Sequence, residues 1–317
     1  SAFVSSVSYT TKQQLRLSAQ SNVFFKNDGW NFQGDWRLWN YNQETYGLGT
    51  NTPDSGAQNM NFQFIRFNEN ALSKITGRLF AGIGYSLEYY NKVETVDTSD
   101  TPFSPNYNNT YNIKHGYDTS SYLSSGFVLT SALDTRENTV NADKGVLLQA
   151  NYYNYNKFLG SANNWQKLYL EARAFHNLRN ARNPYIVALW FMSSIALSGK
   201  APYMSLPAIG WDKYNSSGRG YIQGRFRGSS MMYFEIANRI NLSKNGLFGI
   251  SIFANASTYS NADTGQDFFD YIDPAGGIGL AIKFDSKGRT NINIDYAIGK
   301  YNSNGIFLSL GECFETS

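Results

Sequence analysis

Alternation with a period of two runs through this chain. In RTNINIDYAIG, Arg289 to Gly299, the residues Ile292, Ile294, Tyr296 and Ile298 fall on one face and Asn291, Asn293 and Asp295 on the other. That is an extended strand with one greasy and one wet side. The same phase organises Lys12 to Phe25, where Leu15, Leu17, Ala19 and Val23 oppose Gln14, Arg16, Ser18, Gln20 and Asn22. It also organises Gly277 to Phe284, where Ile278, Leu280, Ile282 and Phe284 oppose Gly279, Ala281 and Lys283. Further strands are expected at Ala2 to Tyr9, Trp30 to Tyr41, Met60 to Asn68, Ile75 to Tyr90, Tyr122 to Leu133, Val146 to Asn156 and Gln166 to Asn177. Four more follow at Tyr185 to Leu197, Ser229 to Leu242, Leu247 to Tyr259 and Gly305 to Phe314, for about fourteen visible strands in all.

The connections are unequal. Ser286 to Gly288 and Lys244 to Gly246 read as short turns, whereas Gly199 to Gly228 and Ser260 to Ala275 are long. Asn91 to Ser121, rich in Asn, Thr, Ser, Asp and Tyr, reads as a long outer loop with room for one or two more strands. No linker divides the chain, so the expectation is a single domain over 1–317.

Composition then selects the solvent. Aromatic residues make up 16% and charged residues only 16% of 317 residues, against roughly 25% charged in soluble domains. No apolar run reaches the roughly 18 to 20 residues of a spanning helix. Strands of ten or more residues that alternate apolar and polar, joined by alternately short and long connections, instead describe an antiparallel barrel in an outer membrane. A soluble sandwich or propeller is the alternative, and it buries its apolar faces between layers. Trp30, Trp36, Trp39, Tyr89, Tyr90, Tyr152, Tyr153 and Trp190 lie where two interfacial aromatic girdles would run. A net charge of +3 gives no field of the kind that binds nucleic acid.

Candidate chemistry is sparse. No nucleophile elbow, phosphate loop or zinc signature occurs, so neither an enzyme nor a cofactor is expected. His115 and His176 lack spaced ligands for a metal. Cys313 has no cysteine to pair with and falls on the inner phase of the last strand. Asp134 and Arg136 read as a turn-stabilising pair. What stands out is SGRGYIQGRFRG, Ser217 to Gly228: glycines at 218, 220, 224 and 228 allow sharp turns and close approach to a wall. Arg219, Arg225 and Arg227 need carboxylate or carbonyl partners. Phase puts Glu235 and Arg239 of the following strand, and Ser251, Asn255 and Ser257 of the next, on the inner side, where Glu235 is available to Arg219.

Three motifs in order, over about the last 190 residues, resemble the BamA, TamA and FhaC superfamily of outer-membrane assembly and transport barrels, also known as bacterial surface antigens. They are LDTRENTVNADKG (Leu133 to Gly145), GRGYIQGRFRG followed by Glu235, and GGIGLAIKFDSKGRTNINIDYAIG with the closing GIFLSLGECF. The resemblance implies sixteen strands in an integral barrel of the bacterial outer membrane. It also implies that the loop at about 199–228 folds into the lumen, with Gly218, Arg219, Gly220 and Tyr221 locked against Glu235 and position 255. The family carries an Asp in a Phe-x-Asp-x-Gly pattern, whereas here Asn255 and Ser257 stand in FANAS. A weaker lock is therefore expected unless Glu235, Asp295 or a loop carboxylate compensates. Gly305, Leu308, Leu310 and Phe314 match the closing strand and its insertion signal.

Family members carry periplasmic POTRA domains before the barrel, while strand-like sequence here starts close to Ser1. The expectation is therefore a barrel without a POTRA domain in this chain. The function implied is insertion of outer-membrane proteins or translocation of a client through a lateral seam between the first and last strands. Implied partners are outer-membrane lipid and lipopolysaccharide, a client barrel or secreted protein, and a periplasmic or lipoprotein partner or a second copy. The alternatives are a passive structural barrel or pore anchoring a complex, and the translocator barrel of a fused secretion protein.

Overall fold

The computed structural model describes residues 1–317 apart from 11–13, 26, 97–105, 140, 180–183, 244–245, 286–289, 313–314 and 317, and apart from the side chains of 285, 290, 310–312 and 315–316. Fourteen strands succeed one another: β1 Ala2–Tyr9, β2 Leu15–Phe25, β3 Trp30–Thr45, β4 Gln58–Thr76, β5 Leu79–Val96, β6 Tyr122–Asp134 and β7 Gly145–Tyr155. They continue with β8 Trp165–Asn177, β9 Tyr185–Ser198, β10 Ser230–Asn241, β11 Phe248–Ser260, β12 Asp273–Asp285, β13 Thr290–Gly299 and β14 Asn304–Glu312. Each pairs antiparallel with its chain neighbours in one meander, and a two-residue β15, Glu315–Thr316, turns back on β14.

Two hairpins carry the type I′ signature of consecutive positive φ values. These are Asn27 and Asp28 before β3, and Tyr301 and Asn302 before β14, a backbone whose twist matches that of the flanking strands. The expected turns at Ser286 to Gly288 and Lys244 to Gly246 lie outside the described residues, except for Gly246.

The sheet is curled. Laid flat, the eleven strand spacings from β2 to β13 would cover about 50 Å at ~4.8 Å each. Yet Lys213 Nζ reaches the Ser21 carbonyl on β2 at 3.4 Å, and Arg219 pairs with Asp295 on β13 at 2.8 Å. The chain from 213 to 219 spans at most roughly 20 Å, so both ends of the sheet wrap one loop, as in a barrel.

Burial is inverted relative to a soluble protein. Inward-phase Arg37, Glu88, Glu171, Arg173, Glu235 and Asp295 are buried, whereas outward-phase Leu38, Ile83, Phe127, Ile236, Ile278 and Leu308 are exposed. A wet interior of paired charges explains this. Arg37 pairs with Asp35 at 2.8 Å, Arg66 bridges Asp35 and Glu88 at 3.3 and 3.0 Å, and Arg173 holds Glu171 at 2.6 Å. No helix among the described residues is long and apolar enough to cross a membrane.

Three expectations need correction. The strand count is fourteen plus the short β15 among the described residues, not sixteen. The Asn91 to Ser121 segment extends β5 to Val96 and then forms a helix, α1 Tyr107–Lys114. Asn106 caps that helix by accepting from the Asn109 amide at 3.0 Å, so asparagine supplies a helix start there rather than a strand. Finally, Trp39, Tyr90 and Trp190 are buried on the inward phase, and Tyr153 shares that phase, stacked on Tyr155, so none of the four belongs to an outer girdle. Trp190 donates to Glu171 at 2.9 Å, while Trp39 and Tyr90 pack against Trp211 of the long loop.

Candidate functional site

The segment from Gly199 to Ser229, between β9 and β10, fills the lumen. It opens with a 3-10 turn, Tyr203–Ser205, buried under α1, and the Asn112 side chain accepts from the Tyr203 amide at 2.9 Å. Asp212 then caps a tight turn by accepting from the amides of Tyr214, Ser216 and Ser217. Arg37 of β3 donates to the carbonyls of Asp212 and Lys213 at 2.9 and 2.7 Å. These bonds satisfy backbone groups that would otherwise lie buried and unpaired.

Gly218 to Tyr221 form the corner that meets the wall. Gly218 and Gly220 have φ of +81° and +107°, and each presses against structure that a side chain would strike. A Cβ on Gly218 would come within 2.7 Å of Ile209 Cδ1, and one on Gly220 within 2.7 Å of Ala275 Cβ. Glycine is thus required by both conformation and space. The Gly218 amide donates to the Tyr233 hydroxyl at 3.1 Å.

Arg219 lies over the Phe253 ring, 3.5 Å from its centroid, with its guanidinium shared between two carboxylates. One Nη2 hydrogen goes to Glu235 of β10, and Nη1 donates to Asp295 of β13 at 2.8 Å. Glu235 also accepts from the Tyr233 hydroxyl, and Asp295 Oδ1 from Ser251 at 3.4 Å. Gly279, opposite Asp295 on β12, leaves the space the carboxylate fills, since a Cβ there would collide with Oδ1. A fork held by two charged acceptors is a strong form of hydrogen bonding.

Asn255 occupies the place expected of a carboxylate but does different work: its amide donates to the Arg219 carbonyl at 2.9 Å. It fixes the loop's main chain, and Asp295 supplies the second negative charge. Of the carboxylates expected to compensate for Asn255, the structure selects Asp295 of β13 beside Glu235 of β10.

The corner also holds the last hairpin. The Tyr221 ring packs against Gly299, where an added Cβ would sit 2.6 Å from Cζ. Its hydroxyl donates to the Pro274 carbonyl at 2.6 Å and accepts from the Lys300 amide at 2.9 Å. Ser303 donates to the Gly220 carbonyl at 2.7 Å. Loop and β13–β14 turn therefore share one set of bonds.

The other two arginines serve the upper end. Arg225 donates to the Thr52 carbonyl at 2.6 Å and to Asp54 at 3.0 Å, and Arg227 to the carbonyls of Tyr203, Met204 and Leu206 at 3.0 to 3.1 Å. There His115 and Lys114, at the end of α1, meet Asp263 of the β11–β12 loop at 3.0 and 3.2 Å. Burial pushes the Asp263 carboxyl up, but the hydrogen bonds from His115 and Lys114 outweigh it and hold it below the usual carboxylate range. Sequence reading left His115 without a partner because Asp263 is 148 residues away.

At the other end, Arg136 clasps Asp134 through Nε at 3.0 Å and Nη2 at 2.9 Å. It borders a cavity of about 580 Å³ with Arg173, Lys213 and Glu171. The remaining residues singled out in the sequence sit apart from the corner. Gly305 pairs with Ala297, and Leu308 points outward beside Ile294 on the exposed face. Leu310 pairs with Ile292 through its backbone, and Phe314, like Cys313, lies outside the described residues.

Fourteen strands in one antiparallel meander curl around a loop whose corner is held by Arg219, the form of an antiparallel barrel. The same fold occurs in BamA from Haemophilus ducreyi lacking POTRA domains 1–3, with a TM-score of 0.57 and 14% identity over 94% of this chain and 60% of that one. It also occurs in CdiB from Acinetobacter baumannii, with a TM-score of 0.59 and 12% identity over 94% of this chain and 50% of that one. The chain thus spans about half to three-fifths of the structures it matches. No protein-family model matches the sequence, and no curated protein matches it.

Proposed function

We propose that this chain is an integral barrel of the bacterial outer membrane whose β1–β14 edge parts to pair with, or pass, a client strand. Residues 1–317 act as one barrel domain, and the loop at 199–228 is the latch that keeps the lumen plugged and the edge hairpin in place. A sheet edge with unpaired backbone groups templates an added strand, and β1 has the composition of a weak edge, with serines at 5, 6 and 8 and Ser1 just before it. Lipid contact is supported by the exposed apolar outward phase. Delivery of the client falls to a periplasmic or lipoprotein partner.

The observation that carries this reading is the shared anchorage at Gly218 to Tyr221. The same four residues bind Glu235 and Asp295 in the lumen and the Lys300 to Ser303 turn of the last hairpin. Releasing the corner would free the plug and loosen the edge together. Planar-bilayer recording tests this: the native barrel should conduct little, and Arg219→Ala should conduct several-fold more. Steady porin-like conductance of the native protein, unchanged in the variant, would favour the passive pore instead. A closed structural barrel that only anchors a partner is the other reading, and it draws on the completeness of the latch, in which all three loop arginines are engaged.

A further inference from the structure

Among the described residues, charged side chains on the strands face the lumen with one exception inside the apolar band. Glu69 of β4 has the outward phase, in the cross-strand row Ser21, Gly34, Glu69, Tyr85. The residues two places away on its own strand are Phe67 and Ala71. Those two places away on the same face of β3 and β5 are Phe32, Trp36, Ile83 and Leu87. Among the described strand residues, the other outward-phase ionisable groups, such as Glu44, Glu94 and His176, stand near strand ends. On β4 the outward positions run from Ile65 to Ile75, with Phe67, Ala71 and Ser73 between, about 25 Å along the barrel axis once strand tilt is included. Glu69 is near their middle.

The carboxylate has a built recess. Gly34 supplies no side chain, and the position its Cβ would occupy is 2.9 Å from Glu69 Oε2, 2.9 Å from the Trp36 ring and 2.7 Å from Ser21 Oγ. Ser21 Oγ accepts the Gly34 amide at 3.0 Å. Trp36 Nε1 is the hydrogen-bonding neighbour of the Glu69 carboxylate, although the pair falls short of standard geometry. Aromatic rings surround the recess: Trp36 stacks on Phe67 with centroids 6.5 Å apart, Phe67 meets Tyr85 at 6.5 Å, and Phe3 of the edge strand meets Trp36 at 6.5 Å.

We propose that the Ser21–Gly34–Glu69 recess is a binding site for a membrane-soluble organic cation, an alkylammonium-type amphiphile. A carboxylate facing hydrocarbon is costly unless a counter-charge reaches it, and the faces of Trp, Tyr and Phe attract the same cation. Here the acid and the rings stand together, one strand pair in from the β1 edge. The site rests on the reading of the outward face as lipid-facing, and its test separates the two.

The folded protein in liposomes is compared with Trp36→Phe, to isolate the Trp36 emission, and with Glu69→Gln, each checked for folding by heat-modifiable gel mobility. Lipids brominated along the acyl chain should quench the Trp36 component. Dodecylpyridinium, a cation that quenches indole, should then quench that component at about tenfold lower membrane concentration in the native protein than in Glu69→Gln, while an uncharged bromoalkane should not distinguish them. Quenching by brominated lipid with equal pyridinium response in both proteins overturns the site and leaves the membrane reading standing. No quenching by brominated lipid overturns both.

Discussion

Replacing Arg219 by alanine removes the one cation that faces both Glu235 and Asp295. The side chains concerned are 8%, 0% and 5% exposed, so water reaches none of them freely. Removing one partner of a buried ion pair costs about 3 to 5 kcal/mol, mostly because the remaining charge is left unpaired. Arg219→Ala is therefore expected to lose about 3 to 5 kcal/mol in reversible urea unfolding from lipid vesicles, followed by tryptophan fluorescence. Arg219→Lys keeps the charge but not the fork that spans two acceptors, and should lose about half as much. The triple variant Arg219→Ala, Glu235→Gln, Asp295→Asn removes the stranded charges and should recover at least ~2 kcal/mol of the loss. A loss under ~1 kcal/mol in the single variant, or a triple variant as unstable as the single, would refute the view that paired charge holds the corner.

Other expectations concern the neighbours of that corner. Gly299→Ala adds a methyl within 2.6 Å of Tyr221 Cζ and should cost about 1 to 3 kcal/mol through overpacking, with Tyr221 exposed to quenchers; an unperturbed Tyr221 would contradict the packing. Tyr221→Phe keeps the ring but deletes the hydroxyl bonded to Pro274 and Lys300, and hydrogen exchange at the 300–303 turn should quicken while exchange in β4 stays the same. The Asp263 clamp on α1 follows the sign of its lowered carboxyl: its contribution is full above the unfolded value of about 3.9 and is lost as pH falls further, through the folded value. Proteolysis near residues 107–117 should accordingly rise in acid for the native protein, and Asp263→Asn should be equally susceptible at neutral pH. A neutral-pH resistance preserved in Asp263→Asn would remove the clamp from the account.

Most of the barrel was legible because period-two alternation is a local signal. β13 was legible from Ile292, Ile294, Tyr296 and Ile298 set against Asn291, Asn293 and Asp295, and the inner Asp295 lies where that phase puts it. Aromatic placement was less legible: Trp39 and Trp190 are as apolar as any girdle residue, and only phase relative to the lumen separates them from it. The helix α1 hid in a polar stretch because its stability comes from an Asn cap and from packing against the long loop, not from an apolar stripe of its own. In the candidate site, Glu235 could be offered to Arg219 by phase, since β10 directly follows the loop. Asp295 could be named only as one of several carboxylates that would compensate at the lock, and Ser303 and Asp263 could not be assigned, because barrel curvature and not chain proximity brings these residues to the loop and to α1. Asn255 was matched by position to a charge partner, yet it binds a carbonyl, a distinction that only the path of the backbone decides.

Parting of the β1–β14 edge is the central claim, and a reversible lock tests it most directly. Ser6 pairs with buried Ser18 on the lumen phase, and Ser309 pairs with Asn293 on the same phase, so Ser6→Cys with Ser309→Cys puts two thiols on one side of the edge. Cys313→Ser removes the single native thiol. In cells that depend on this chain for assembly or export, the oxidised protein is predicted to lose activity and to regain it on reduction, with either single cysteine fully active throughout. A barrel whose edge disulfide is formed completely, and which still supports full activity, would contradict the account.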